Sequence, residues 1–221
     1  MGFSVAIDGP AGAGKSTIAK IIGEKFNLMY INTGAMYRAV TLKAMNANIS
    51  EKSVDDLVKL VESLDMHFIE DRLFVNNEEL TDMINMPIIS NNVSKYAAVP
   101  EIREILVKLQ QNIAEKFNVI MDGRDIGTVV LPEANFKFYL TASSQQRAKR
   151  RYEELLSKEI DVDYNTILND IIKRDYIDTH REFNPLTKSL DSIEIDSSTL
   201  NINGVVEMIE AYINSNVKSN K

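Results

Sequence analysis

The chain has 221 residues, 44% hydrophobic and 26% charged, which suits one globular core carrying insertions. A formal charge of −7 argues against broad adhesion to nucleic acid or to a membrane surface, and zero cysteines exclude disulfides, thiolate zinc sites and thiol nucleophiles. No apolar stretch approaches the roughly 18 residues of a membrane span and no basic-then-apolar leader is present, so a cytoplasmic protein is expected.

Phe3 to Ile7 is an apolar run expected as a buried strand, and Thr17 to Phe26 carries apolar residues at helical spacing. Between them stands Asp8-Gly9-Pro10-Ala11-Gly12-Ala13-Gly14-Lys15-Ser16-Thr17, where Gly9, four residues, Gly14, Lys15 and Ser16 match the P-loop pattern in its strand–turn–helix context. Glycines there permit positive φ and remove Cβ atoms, so backbone N–H groups can converge on a phosphate at the helix N-terminus. Lys15 would meet the outer phosphates and Ser16 would ligate Mg²⁺. A plain glycine-rich turn does not require Lys-Ser after its last glycine. A dinucleotide fingerprint started at Gly12 fails because its third glycine position is Thr17.

Leu28 to Ile31 reads as a second strand, followed from Asn32-Thr33-Gly34 by a helix with Met36, Tyr37, Val40, Leu42 and Met45 near one face. Arg38 lies in its first turns, where a cation is unfavourable with the helix dipole, a hint of an anionic ligand that a solvated arginine would equally explain. Val54 to Leu64 is amphipathic. Met66 to Ile69 and Arg72 to Val75, with turns at Glu70-Asp71 and Asn76-Asn77, predict a small β-meander, making Asp65 to Leu80 an excursion from the core and His67 a half-exposed strand residue. Pro87 to Val99 carries no decisive period. Pro100 onward is a strong helix with Ile102, Ile105, Leu106, Leu109 and Ile113.

Val119-Ile120-Met121-Asp122 is a buried strand ending in an acid of the kind that supports Mg²⁺ in P-loop proteins, directly or through water, with Asp8 the other candidate. Gly123-Arg124-Asp125 and the apolar Ile126 to Leu131 follow. Phe136 to Leu140 is a core strand, Ser143 or Ser144 can cap the next helix, and that helix sets Arg147 on one face with Arg150 and Arg151. Such crowding implies either a nearby anion or a solvated face relieved by Glu153 and Glu154. Asn165 to Asp178 is helical, Asp191 to Ile195 a short strand, Val205 to Ile213 a closing helix, and Asn214 to Lys221 a frayed polar end. Strands alternating with helices predict a parallel sheet covered on both faces, with Gly9 to Thr17, Thr33-Gly34, Asp122 to Asp125 and Thr141 to Ser144 on one rim.

The P-loop leaves GTPase, motor and small-molecule kinase open. No Asn-Lys-x-Asp guanine reader occurs, and motors are usually larger. Arg38, Arg103, Arg124, Arg147, Arg150, Arg151, Arg174 and Arg181 exceed what one triphosphate beside Mg²⁺ needs, which points to a second phosphorylated substrate.

Ile7-Asp8-Gly9-Pro10, Thr33-Gly34-Ala35-Met36-Tyr37-Arg38, the run Met121 to Val130 with Asp122-Gly123-Arg124-Asp125-Ile126-Gly127-Thr128-Val129-Val130, and Arg174-Asp175 through Arg181 to Pro185-Leu186 resemble the bacterial cytidylate (CMP) kinases of the nucleoside monophosphate (NMP) kinase group. The resemblance spans nearly the whole chain, and the Asp-Gly-Arg-Asp run is its most specific part. It implies an α/β fold: five parallel strands flanked by helices, a small antiparallel β insert and a helical lid. It also implies one P-loop kinase domain over 1–221, an NMP-binding region at about 34–117 with the insert at 65–80, and the lid at about 147–181. Residues 9–17 and Arg150 would bind ATP; Lys15, Arg124, Arg150 and Arg181 would serve catalysis; Ser16 and Asp122 would support Mg²⁺. Arg38, Arg124 and Arg181 would grip the CMP phosphate, while Ser94, Arg103 and Asp125 would read cytosine. Thr33, Arg174 and Asp178 would approach ribose or phosphate, with Tyr37 completing the CMP site. ATP and CMP or dCMP are the expected partners of a monomer. A kinase for UMP or shikimate, and a nucleotide-sensing module, are the competing expectations.

Overall fold

The computed structural model describes residues 2–157 and 159–218. In chain order these form β1 (Ser4–Asp8), α1 (Lys15–Phe26), β2 (Met29–Asn32), α2 (Thr33–Asn46), α3 (Val54–Glu62), β3 (Met66–Ile69), β4 (Arg72–Val75), β5 (Glu78–Glu79) and, after a 3-10 turn at Met83–Asn85, α4 (Pro87–Tyr96). There follow α5 (Pro100–Lys116), β6 (Val119–Gly123), a π-helical turn at Ile126–Val130, β7 (Phe136–Thr141), α6 (Ser144–Ser157), α7 (Tyr164–His180), β8 (Ile193–Asp196) and α8 (Ile202–Lys218).

The main sheet is wholly parallel, in the order β2-β6-β1-β7-β8. Its centre is a continuous apolar run because helices cover both faces. Val5, Ile7, Ile120 and Phe138 pack against Ile18 and Ile22 of α1 and Val205 and Ile209 of α8, whereas Ala6, Ile31 and Met121 face Met36, Val40, Ile102 and Leu106 of α2 and α5. The parallel arrangement brings the P-loop, Thr33, Asp122 to Asp125 and the start of α6 to one edge, as expected.

The β3-β4-β5 sheet is antiparallel, and positive φ at Glu70 (56°), Asn76 (51°) and Asn77 (65°) turns the chain tightly between its strands. It is less of an excursion than its polar ends suggest: Leu73, Val75 and Leu80 are fully buried in the same apolar cluster as α2 and α3. His67 is half-buried and stacks on Phe74 with ring centroids 5.6 Å apart.

Two elements fill stretches the sequence left unassigned, and a third differs from expectation. The stretch that resisted assignment contains α4, opened by Pro87 at its first position and burying Ile89, Val93 and Tyr96; the polar Ser90-Asn91-Asn92 hid that stripe. The run after Asp125, for which the sequence predicted no element, is a π-helical turn. Finally, α8 continues to Lys218, so Asn214 to Lys218 is helical rather than frayed, and residues 219–221 lie outside the described residues.

Candidate active site

Positive φ at Gly9 (145°), Gly12 (76°) and Gly14 (88°) bends the P-loop into a concave run of backbone leading into α1. Pro10, Ala11 and Ala13 complete the curve, and Ser16 and Thr17 are exposed at its mouth. Lys15 is 5% exposed and folds back to donate to the Pro10 carbonyl at 2.7 Å. Burial, then the neighbouring Arg124, push its ammonium well below the usual lysine range.

Asp122 and Asp8 take separate roles. Asp122, ending β6, accepts the Ser16 hydroxyl on Oδ2 at 2.9 Å and the Tyr30 hydroxyl on Oδ1 at 2.9 Å, while its main-chain carbonyl accepts Thr33 Oγ1 at 2.7 Å. Asp8 instead accepts the backbone N–H groups of Ile126 (2.8 Å) and Gly127 (2.7 Å), clamping the π-helical turn to the end of β1. Burial pushes its carboxyl up to about 6, against the lowering by those two N–H groups. Asp122 is therefore the acid beside Ser16. Because Ser16 gives its only hydrogen to Asp122, its lone pairs stay open for a cation. Among the described residues no cluster of three or more His, Cys, Asp or Glu could cage a metal. A hydroxyl and a carboxylate that leave the remaining positions to water and phosphate suit Mg²⁺.

A cleft beside the P-loop is lined by Thr33, Tyr37, Ser94, Arg103, Arg124, Asp125, Arg174, Asp178 and Arg181. These are all of the residues expected on CMP except Arg38. Arg38 stands next to Asp122 and Arg124, and its guanidinium is lowered chiefly by burial. Buried Arg103 donates to Asp125 Oδ2 at 2.5 Å and to the Ala97 carbonyl at 3.0 Å, with its guanidinium 5.0 Å from the Tyr37 ring centroid. Burial pushes the Tyr37 hydroxyl up to about 12.

Asp178 is an internal counter-ion of the cleft together with Asp125, which pairs with Arg103 and lies 3.7 Å from Arg181. Asp178 accepts Arg124 Nε at 2.7 Å and Ser94 Oγ at 3.1 Å, joining α7 to α4 and β6. Burial opposes its ionisation, but Arg124, Arg174 and Arg181 hold it below the ordinary carboxylate range. Burial lowers both Arg174 and Arg181 to about 10, with Arg124 and Arg103 their respective like-charged neighbours. Arg181 also donates to the Asn184 carbonyl, at 2.6 Å from Nε. Among the described residues the buried Nε atoms of Arg38, Arg103 and Arg174 have no hydrogen-bond partner. Buried donors without acceptors are costly, and an anionic ligand would satisfy them.

The arginines of α6 divide. Arg147 is buried and forms a two-pronged pair with Asp175 of α7 (2.6 and 3.1 Å), besides donating to the carbonyls of Ala11 in the P-loop (3.0 Å) and Ala142 (2.9 Å). Arg151 pairs with Glu154 at 2.8 Å. These two therefore have protein partners and do not belong to a surplus awaiting substrate. Arg150 donates to the Ser197 carbonyl (2.5 Å) and hydroxyl (3.2 Å), and that hydroxyl lies 3.4 Å from the Ala13 carbonyl of the P-loop. The helix caps as expected, with Ser143 Oγ accepting Gln146 N at 3.2 Å. Sequence reasoning missed Tyr30, Asp175 and Ser197; for Tyr30, alternation along β2 was the available signal.

The cytidylate kinase family model matches residues 5–215. A cytidylate kinase of Clostridium perfringens (strain SM101 / Type A) is 63% identical over 211 residues, 96% of this chain and 97% of its own. One from Clostridium acetobutylicum is 60% identical over 217 residues, 98% of this chain and all of its own. Among solved structures, an uncharacterized protein of Eubacterium ventriosum ATCC 27560 superposes with a TM-score of 0.52 at 17% identity, covering 97% of this chain and 99% of its own, a likeness of fold.

Proposed function

The chain belongs to the cytidylate kinase family, and from that membership we propose that it transfers the γ-phosphoryl of ATP to CMP or dCMP, giving ADP and CDP or dCDP. The observation that carries the reading is the cleft itself. Three guanidiniums, of Arg124, Arg174 and Arg181, line it beside a P-loop, with Arg38 outside the lining but next to Arg124, and a buried Arg103–Asp125 pair and Ser94 line it too. The first group suits an acceptor phosphate and the second a cytosine edge, whose amino group would meet Asp125 and whose acceptors would meet Arg103. Uracil would set a carbonyl against the Asp125 carboxylate, leaving buried polar groups unpaired.

The acceptor is a phosphate oxygen whose second pKa, near about 6, leaves it largely ionised, so no general base is needed. The chain's residues then position and neutralise. P-loop amides and Lys15 hold the donor phosphates, Arg38, Arg124 and Arg181 hold the acceptor phosphate, and Arg150 and Arg181 offset charge from the lid side. Ser16 and Asp122 would hold Mg²⁺, which when bound supplies charge neutralisation across the donor phosphates.

A cleft of about 50 Å³ has room for a few waters, at roughly 10–15 Å³ each, and not for a nucleotide. Substrate entry therefore requires the cleft to widen, and the 3.1 Å Ser94–Asp178 hydrogen bond ties α4 to α7 across it. We assign that motion to the NMP-binding region (about 34–117) moving against the lid (about 147–181), within one domain. No helix among the described residues is long and apolar enough to cross a membrane. ADP release measured with CMP, dCMP, UMP and shikimate tests the reading. Fast turnover with CMP or dCMP alone is expected, and equal rates with UMP would refute the base assignment.

A further inference from the structure

We propose that Tyr30, by donating its hydroxyl to Asp122 Oδ1, is the positioning residue that holds the Asp122 carboxylate ready for a divalent cation at Ser16. The proposal rests on the reading of Ser16 and Asp122 as the metal-supporting pair.

Asp122 is gripped at three points: Thr33 on its carbonyl (2.7 Å), Ser16 on Oδ2 (2.9 Å) and Tyr30 on Oδ1 (2.9 Å). The first fixes the backbone and leaves the side chain free to rotate. Ser16 is exposed at the mouth of the P-loop, and its oxygen would carry a cation while its hydrogen stays on Oδ2, so it is itself a member of the metal-supporting pair. Tyr30, whose hydroxyl also stands beside the Ser16 side chain, is the anchor supplied from the sheet. It belongs to β2, whose register with β6 pairs Tyr30 with Ile120 and Asn32 with Asp122. Alternation puts the side chains of Tyr30, Ile120 and Asp122 on one face of the sheet, and the Tyr30 body packs into the apolar cluster beneath α1. From there its hydroxyl reaches two residues along the neighbouring strand. A carboxylate has about four lone-pair positions, so with one taken by Tyr30 and one by Ser16, two stay open for the cation or its water.

Calorimetry of ADP binding with Mg²⁺ and in EDTA tests this without turnover. In the wild type Mg²⁺ should tighten ADP. In Tyr30→Phe, which keeps the ring and its packing, the gain from Mg²⁺ should shrink by about 10-fold or more, as loss of a partner that orients a metal-supporting group does. ADP affinity in EDTA and CMP affinity should hold at wild-type values. In Asp122→Asn the gain should already be lost, and adding Tyr30→Phe should change nothing further. A Tyr30→Phe protein that keeps the full Mg²⁺ gain while Asp122→Asn loses it overturns the role of Tyr30 alone. Equal weakening with and without Mg²⁺ overturns it too, since a merely structural bond would act that way. If Asp122→Asn also keeps the gain, the metal reading falls, and this proposal with it.

Discussion

Asp178→Asn removes the carboxylate that acts on Arg124, Arg174 and Arg181 together, leaving Asp125 to Arg103 and Arg181. Asn keeps an oxygen to accept from Ser94 or Arg124 but no charge, and its new N–H₂ must face guanidinium donors. Asp178 is 4% exposed and its Arg124 partner 18%, so this is a buried pair with one edge wet. Breaking a buried pair on one side costs about 3–5 kcal/mol, and the retained hydrogen bond and partial exposure favour the lower end, about 3 kcal/mol. For a chain of this size that is a fall in Tm of roughly 6–12 °C. The sign against pH follows from the depressed carboxyl. With its folded value below the unfolded 3.8, the stabilisation is complete above that value and lost as pH falls through the folded one. The gap between wild type and variant should therefore be flat across neutral pH and close in acid. Urea unfolding at several pH values measures it. Repeating the series with sulfate adds a second reading, since a dianion should restore the variant more than it stabilises the wild type. A loss under about 1 kcal/mol, or an equal sulfate gain in both proteins, would refute the assignment of Asp178 as counter-ion.

Asp8 should show the opposite sign. Its folded carboxyl lies at about 6 against 3.8 unfolded, so wild type should lose up to roughly 3 kcal/mol relative to Asp8→Asn as pH rises from 4 to 6; parallel stability curves for the two proteins would contradict this. Two P-loop glycines should separate fold from function. A Cβ at Gly9 would lie 1.9 Å from the Leu140 carbonyl oxygen, so Gly9→Ala should not reach the native β1–β7 pairing, as circular dichroism and solubility would report. At Gly14 a Cβ meets nothing within 4 Å, so Gly14→Ala should cost only the strain of positive φ, about 1–3 kcal/mol, and fold while binding ATP more weakly; a folded Gly9→Ala would show that the close approach can relax.

Local patterns made much of the molecule legible. Gly9 to Ser16 could be read because a P-loop is built from consecutive residues, and the buried strands because helices on both faces demand unbroken apolar runs. The Asn76-Asn77 turn was visible because asparagine tolerates positive φ. Elements whose form depends on a distant partner were not. The turn at Ile126–Val130 adopts its π-helical form where the Asp8 carboxylate, 118 residues away in the chain, accepts its first N–H. Nothing within Ile126 to Val130 announces that. Charge was the least legible property: Arg147 and Arg150 look alike three residues apart, yet one closes on Asp175 and the P-loop while the other lies on Ser197.

The amino-acid sequence on its own determined the phosphate-binding turn, the parallel α/β architecture and, through its most specific run, the family. Those depend on the order of residues close together in the chain. Tertiary structure alone decided which acid serves Ser16, which arginines keep unpartnered nitrogen and which are already neutralised. A hydrogen bond or ion pair is settled within about 3 Å, and only folding brings Tyr30 to Asp122, or Asp178 among its guanidiniums, at that range.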